Sequence, residues 1–429
     1  MRTGLGRGEK LEITNSELAT FRSCRQLWWF MYEQMLRPKR RKQPFAVGSC
    51  VHGGLDGMYT AIGEAQLNSD NVKFSVDELT SVARGAMEIL LQEHLVALYD
   101  LGESGQEDIE QLVEESRETE REAASSIERY VATFAGDAER YRVLAVERPF
   151  AFPIPDALGR MSLRIVFRGV MDLVLWDPHI KDIVLTEHKT SKEDARKAEF
   201  RLDMDPQTTG YVWVLTQAVR NQAPWLHLNG SAAWVKDLSQ RLIETKGGAA
   251  DRLSIGRVFY NVVRKSGPKM PKWNKDGTVS AAAVDTKQSI YELALREQES
   301  LGGLVLDANG METGERHKPK PRTDKQTERM ATLEAGDGKW IMRHEDFQSE
   351  LSRARWLKEL RGDGKLVRDA LKGKMPITRN DNHCNKAWSL SCGYRSICKE
   401  DTPDGRSGFH VVAAPHTEVV GAELQQGDL

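Results

Sequence analysis

Nowhere in its 429 residues does the chain reach the roughly 18 consecutive apolar residues that a membrane-crossing helix needs, and its opening MRTGLGRGEKLEIT holds no apolar run of signal-peptide length. These absences point to a cytoplasmic protein with no membrane partner. Cysteine is scarce: there are five, three of them between Cys384 and Cys398. That excludes a secreted disulfide framework, and in a reducing compartment such clustering favours metal ligation. No GxxxxGK followed by Ser or Thr occurs, so a fused helicase motor is not expected. There is no internal repeat. Charge of one sign is missing too, with 61 Lys and Arg against 63 Asp and Glu. A site for a polyanion therefore has to be local.

Asn15–Gln34 has the spacing of a helix, with Asn15 or Ser16 as its cap and Cys24 inside it. After the basic run Arg37–Lys42, the small residues of GSCVHGGLDGMY open a second helix, and residues 76–134 carry helical spacing with many charges. Strand signals follow in LAVERPFAFPI, LRIVFRGVMDLVLW and DIVLTEHKT, separated by Pro, Asp and Gly. Asp205 caps the next helix, with Pro206 at its first position. RVFYNVVRK reads as a further strand, the Pro-, Gly- and Lys-rich stretch to Asp337 as an insertion of loops, and His344–Lys372 as helix. The predicted organisation is a flexible start (1–10), a helical region (11–142), a strand-rich core (143–250), a strand with a loop-rich insertion (251–343), C-terminal helices with three cysteines (344–402) and an unstructured tail (403–429). This is an α/β chain with a central mixed sheet flanked by helices.

Alternation on the third strand puts Ile183, Leu185, Glu187 and Lys189 on one face, which starts apolar and ends charged. Buried charges are costly unless they are paired or serve a site. Asp172 on the preceding strand, with Glu187, can hold Mg2+ or Mn2+, hard cations that take oxygen ligands. Such ions activate water and neutralise charge on a phosphodiester undergoing hydrolysis, and Lys189 can orient that water or stabilise the transition state. In a chain that is 29% charged, Glu-x-Lys also arises by chance, so the weight comes from its company. His52 can complete a metal's shell. Gln207 and Tyr211, four apart at a helix start, project on one side.

Cys384, Cys392 and Cys398 need one more thiolate to make four, and Cys24 supplies it, because Cys50 lies two residues from His52. Four thiolates suit a 4Fe-4S cluster or zinc; the uneven spacing, without paired C-x2-C knuckles, speaks against a zinc ribbon. Such a cluster would staple the N-terminal region to the C-terminal one.

Together SELATFRSCRQLWWF, GSCVHGGLD, GVMDLVL, TEHKTS, QTTGY and CGYRSIC resemble, in order, the RecB-like branch of the PD-(D/E)XK nucleases. Within it the chain is similar to iron-sulfur members: AddB-type helicase-nuclease subunits, CRISPR-associated RecB-like exonucleases and phage-encoded relatives. The resemblance covers about residues 11–220 and 376–400. It implies a restriction-endonuclease-like core and a Mg2+- or Mn2+-dependent deoxyribonuclease, an exonuclease on single-stranded or duplex DNA ends, in recombination, repair or phage DNA metabolism. It makes His52, Asp172 and Glu187 metal ligands together with the His188 carbonyl, Lys189 the catalytic lysine, and Gln207 and Tyr211 substrate-side or lysine-positioning residues. Cys24, Cys384, Cys392 and Cys398 become ligands of a 4Fe-4S cluster. A helicase or recombination protein is the implied partner. The alternative is a non-catalytic iron-sulfur DNA-binding subunit. The basic runs Arg37–Lys42 and Arg316–Lys325 are candidate phosphate contacts, and Trp28 and Trp29 are candidate base-stacking residues for which core packing is the competing role.

Overall fold

The computed structural model describes residues 10–38, 43–69, 72–100, 106–160, 164–198, 202, 205–221, 254–307, 311–380, 384 and 392–412. The expected flexible start at 1–9, the basic residues 39–42 and the tail from 413 lie outside these. The chain divides into two compact units, residues 1–188, 201–260 and 344–429 in the first, and 189–200 with 261–343 in the second.

In the first unit, β1 (Leu11–Thr14) leads into α1 (Asn15–Ser23), whose cap is Thr14 rather than Asn15 or Ser16, its Oγ1 accepting from Glu17 N–H at 3.1 Å. The single helix expected over Asn15–Gln34 is broken. Cys24 is extended (φ −162°, ψ 112°), a short helix α2 (Arg25–Trp28) follows, and Trp29–Glu33 form a π turn. The break has a tertiary cause: Gln26 N–H, which a continuous helix would use internally, donates to Thr378 O, and the same distant segment holds Cys24 through Asn380 N–H on its Sγ. β2 (Leu36–Pro38) precedes three helices, α3 (Gln43–Asn68), α4 (Val76–Asp100) and α5 (Gln106–Phe134). Val47, Val51, Leu55, Met58 and Ile62 recur every three or four residues along α3 and are all buried, which sets the face it turns inward. The short α6 (Asp137–Arg140) closes the helical region.

β3 (Arg142–Pro153), β4 (Ile165–Asp177) and β5 (Asp182–Ser191) follow, as their β-branched and aromatic alternation predicts. The sheet order is β1-β4-β5-β6-β9, with β3 also on β4, where β6 is Ser254–Arg264 and β9 is Ile341–Phe347. β1 runs parallel to β4, whereas β3 and β5 run antiparallel, so the sheet is mixed. α7 (Pro206–Asn221), begun by Asp205 as expected with Gln207 N–H on its Oδ1 at 2.9 Å, packs on α10 (Glu350–Leu371). This is the expected α/β architecture of a central mixed sheet flanked by helices.

Two C-terminal expectations are corrected. His344 lies in strand β9 and not in a helix, and α10 begins only after Ser349, whose Oγ accepts from Ser352 N–H at 3.0 Å. Beyond Pro403 the chain is ordered to residue 412: α11 (Arg395–Lys399) and α12 (Pro403–Arg406) lead to β10 (Phe409–Val411), which pairs antiparallel with β2.

The second unit replaces the expected loops with α8 (Gln288–Ser300), a hairpin of β7 (Leu304–Leu306) and β8 (Glu312–Arg316), and α9 (Asp324–Ala331). Val279, Tyr291, Ala294 and Leu295 are its core, with Trp273, Met330 and Leu333 packed around them.

Candidate metal centre and thiolate cluster

β4 gives one edge to β3 along most of its length and divides the other. β1 takes Ile165–Arg168 and β5 takes Leu173–Asp177, leaving Gly169–Asp172 between them. Asp172 stands at that gap, where its Oδ2 accepts the His188 backbone N–H at 2.9 Å as β5 departs from the ladder.

Glu147, on β3, has φ of +43° within the strand, a backbone state that L-residues adopt at a cost unless the surroundings hold them there. The ladder pairs Val146 with Leu173 and Arg148 with Met171, so Glu147 and Asp172 are the residues left between two rungs. His52 comes from α3, its Nδ1 3.8 Å from Asp172 Oδ2. One ligand atom each of His52, Glu147 and Asp172 lies within 4.8 Å of the others, and among the described residues this is the one such group.

Two more carboxylates act on it. Burial pushes the Glu147 carboxyl well above the usual carboxylate range, and the charges of Asp56, Asp172 and Glu187 push it further. Asp56, one helical turn after His52, is raised by burial and then by Asp172, and its Oδ1 is buried without a hydrogen-bond partner. Four carboxylates in mutual repulsion are the donor set a hard divalent cation neutralises. The sequence pointed to Asp172 and His52 but missed Glu147 and Asp56. The helical spacing of Asp56 from His52 was a usable signal; the backbone state that turns Glu147 inward leaves none.

Glu187 is 1% exposed and accepts from Gln207 Nε2 at 3.2 Å. Tyr211, one turn on, is hydrogen-bonded to Gln207 and to the Val170 backbone, and burial followed by the charges of Glu187 and Asp172 raises its hydroxyl pKa. Its ring is why residue 169 is glycine, since a Cβ there would lie 2.7 Å from the Tyr211 hydroxyl. Gln207 and Tyr211 thus meet the carboxylates. Lys189 is partly buried two residues beyond Glu187 on β5, so alternation puts the two on one strand face. The His188 ring is buried between Tyr59, stacked at 5.8 Å, and Tyr130, edge-on at 5.5 Å.

The other constellation gathers cysteines. The Cys398 thiol is raised by burial and then by Cys384 and Cys24, with Cys392 adding to it and Arg379 opposing, so all four sulfurs lie in electrostatic reach. Cys392 and Cys398 pack against Phe30, Leu36, Tyr394 and Ile397. Cys50 is buried in α3, where burial pushes its thiol up to about 11. Trp28 is fully buried, donating Nε1–H to Glu17 at 2.9 Å, and is a core residue rather than a stacking platform.

The model of the family described as the PD-(D/E)XK nuclease superfamily matches residues 12–399, and no curated protein matches the chain.

Proposed function

The chain belongs to the PD-(D/E)XK nuclease superfamily, whose members are metal-dependent nucleases, and on that premise we propose that it is a Mg2+- or Mn2+-dependent exonuclease acting on DNA ends. The observation that carries the reading is the convergence of His52, Glu147 and Asp172 within 4.8 Å. Oxygen donors with one imidazole fit Mg2+ or Mn2+. His52, Asp172 and Glu187, with the His188 carbonyl, would hold the ion, and Glu147 joins them.

A bound divalent cation supplies a water of lowered pKa and positive charge beside the scissile phosphate. The protein's own groups supply position. The Gln207 amide donates to one oxygen of Glu187 and so orients its carboxylate. Asp172 is oriented by the His188 peptide, so the two carboxylate strands keep their spacing. Lys189 donates to the attacking water or to the phosphoryl oxygen on which charge builds. Tyr211 is buried and braces Gln207, and so acts here as a positioning residue rather than one that touches the substrate.

We further propose that Cys24, Cys384, Cys392 and Cys398 hold a 4Fe-4S cluster. Their convergence beside the β2–β10 pair supports it. A brown protein with broad visible absorption is expected, and a colourless one carrying zinc would overturn the assignment. A helicase or recombination protein as partner follows from the resemblance alone, and co-purification tests it.

Purified, anaerobically prepared protein is expected to shorten end-labelled linear single- or double-stranded DNA with Mn2+, and Lys189→Ala to lose on the order of 100-fold or more of that rate. Intact DNA, or undiminished activity in Lys189→Ala, would sink the proposal. Cutting of closed circular DNA at the same rate would refute the exonuclease mode.

A further inference from the structure

The second unit carries 19 Lys and Arg against 15 Asp and Glu, in a chain whose net charge is −2. The excess is local. Residues 261–275 hold five cations and no acid, and residues 316–323 hold four more, also with none. These segments are 40 or more residues apart in sequence, yet the fold joins them. The turn through Asn274–Gly277 is pinned by Trp273 bridging to Val279, and Lys320 Nζ donates to Asp276 O at 2.7 Å. His317 N–H donates to Gly303 O at 2.8 Å, and a Cβ on Gly302 (φ +79°) would lie 1.8 Å from His317 O.

A buried amide knot locks this arrangement. Gln298 and Gln326 are 0% and 1% exposed. Gln298 Oε1 accepts from Val279 N–H at 2.6 Å, and its Nε2 donates to Lys320 O and Pro321 O at 3.3 and 3.1 Å. Gln326 Nε2 donates to Val279 O at 2.7 Å. Two side chains thus tie the second basic segment by its backbone to Val279, the residue that Trp273 of the first segment bridges.

Seven of the nine cations in these segments sort into two groups. Arg264, Arg316 and Arg322 are neutralised by Asp285, by Glu297 and by Glu292 with Glu299. Lys269, Lys272, Lys275 and Lys318 are exposed and make no ion pair with any described residue. Within these two segments the three arginines are matched with carboxylates, and these four lysines are not.

We propose that Lys269, Lys272, Lys275 and Lys318 form a preorganised, sequence-independent binding surface for the phosphate backbone of DNA. The inference rests on the nuclease reading for its choice of polyanion and deepens it by naming the surface that grips the substrate. Lysines act as point charges on phosphates and read no base edges, so affinity there is electrostatic and does not depend on sequence.

The test is binding of a fluorescein-labelled oligonucleotide to the full chain without divalent cations, followed by anisotropy from roughly 50 to 200 mM salt. Replacing all four lysines by Gln is expected to weaken binding about tenfold or more at the low-salt end and to flatten the log K against log salt slope by up to about 3.6. A matched variant with Gln at the exposed Lys358, Lys365, Lys372 and Lys374 removes the same charge and is expected to keep the parental slope. The pairs K272Q/K275Q and K269Q/K318Q each take about half the change, which keeps the test open if the fourfold variant misfolds. Equal slopes for parent and fourfold variant, equal losses in the two fourfold variants, or no DNA binding by the parent would overturn the proposal. Cleavage with Mn2+ is scored separately: a chain that shows the slope change but leaves DNA intact retains this surface and loses the nuclease reading, and a chain that cleaves with an unchanged slope does the reverse.

Discussion

Glu147 is a residue whose cost in isolation is explained by a ligand. It combines a left-handed backbone state with a partly buried, desolvated carboxyl among three others. Because its folded pKa lies above the ordinary 4.5, the native state keeps a proton that the unfolded chain has lost. Stability of the metal-free protein therefore falls as pH rises from about 4.5. Glu147→Gln is expected to flatten that fall in thermal melts from acid to alkaline pH and to raise the midpoint at the alkaline end. The same variant is expected to bind Mn2+ on the order of 10- to 100-fold more weakly, as titration calorimetry would read. A melt whose pH slope is unmoved by the substitution would contradict the assigned burial. At this scale the sequence was partly legible. Asp172, Glu187 and Lys189 stood at the polar end of an apolar face, whereas Glu147 looked like any polar residue in VERPF until its φ was known. Gln207 and Tyr211 were legible as a pair, but their hold on Glu187 and Val170 depends on where α7 meets the sheet.

Among the elements, local pattern sufficed for α3, α5, β3, β4 and β5, where periodicity and burial agree. It failed where a distant partner decides the conformation. Cys24 leaves the helix because Thr378 and Asn380 compete for its neighbourhood. β9, with IMRHEDF, carries too few apolar residues to announce a strand, and the fourteen residues Lys318–Ala331 read as loop because the Gln298 and Gln326 knot is invisible in composition. That knot gives an element-scale prediction. Gln298→Leu leaves the Val279 N–H and the Lys320 and Pro321 carbonyls without their partner, each at about 1–3 kcal/mol. The expected result is faster proteolysis within residues 261–343 and a smaller salt slope for DNA, read together. Protection equal to the parent would show the knot to be dispensable.

For the whole molecule, the proposed cluster would join residue 24 to residue 398, and β2 joins the same two regions through its main-chain hydrogen bonds to β10. Cys24→Ser and Cys398→Ser are each expected to lose bound iron and visible absorption and to lower the thermal midpoint by several degrees, with amide exchange rising at both residues 11–38 and 392–412 together. Exchange rising at one end only would mean that the cysteines do not link them. Divalent cation should raise the midpoint with the logarithm of its concentration once that exceeds the dissociation constant, because it binds the folded state in preference to the unfolded one. Family membership of this kind is legible from ordered motifs, while the division into two units was not, since residues 189–200 join a unit whose remainder lies beyond residue 260.

The pairing of β10 with β2 also sets a timetable for synthesis. Leu36–Pro38 leaves the ribosome some 370 residues before Phe409–Val411 is made. At about 5–20 residues per second, its edge waits roughly 20–75 seconds for a partner. During that interval an unpaired strand edge and a lone Cys24 are presented to the cell, and a nascent chain stalled before residue 409 would be the species most open to chaperone capture, misplaced strand pairing and oxidation.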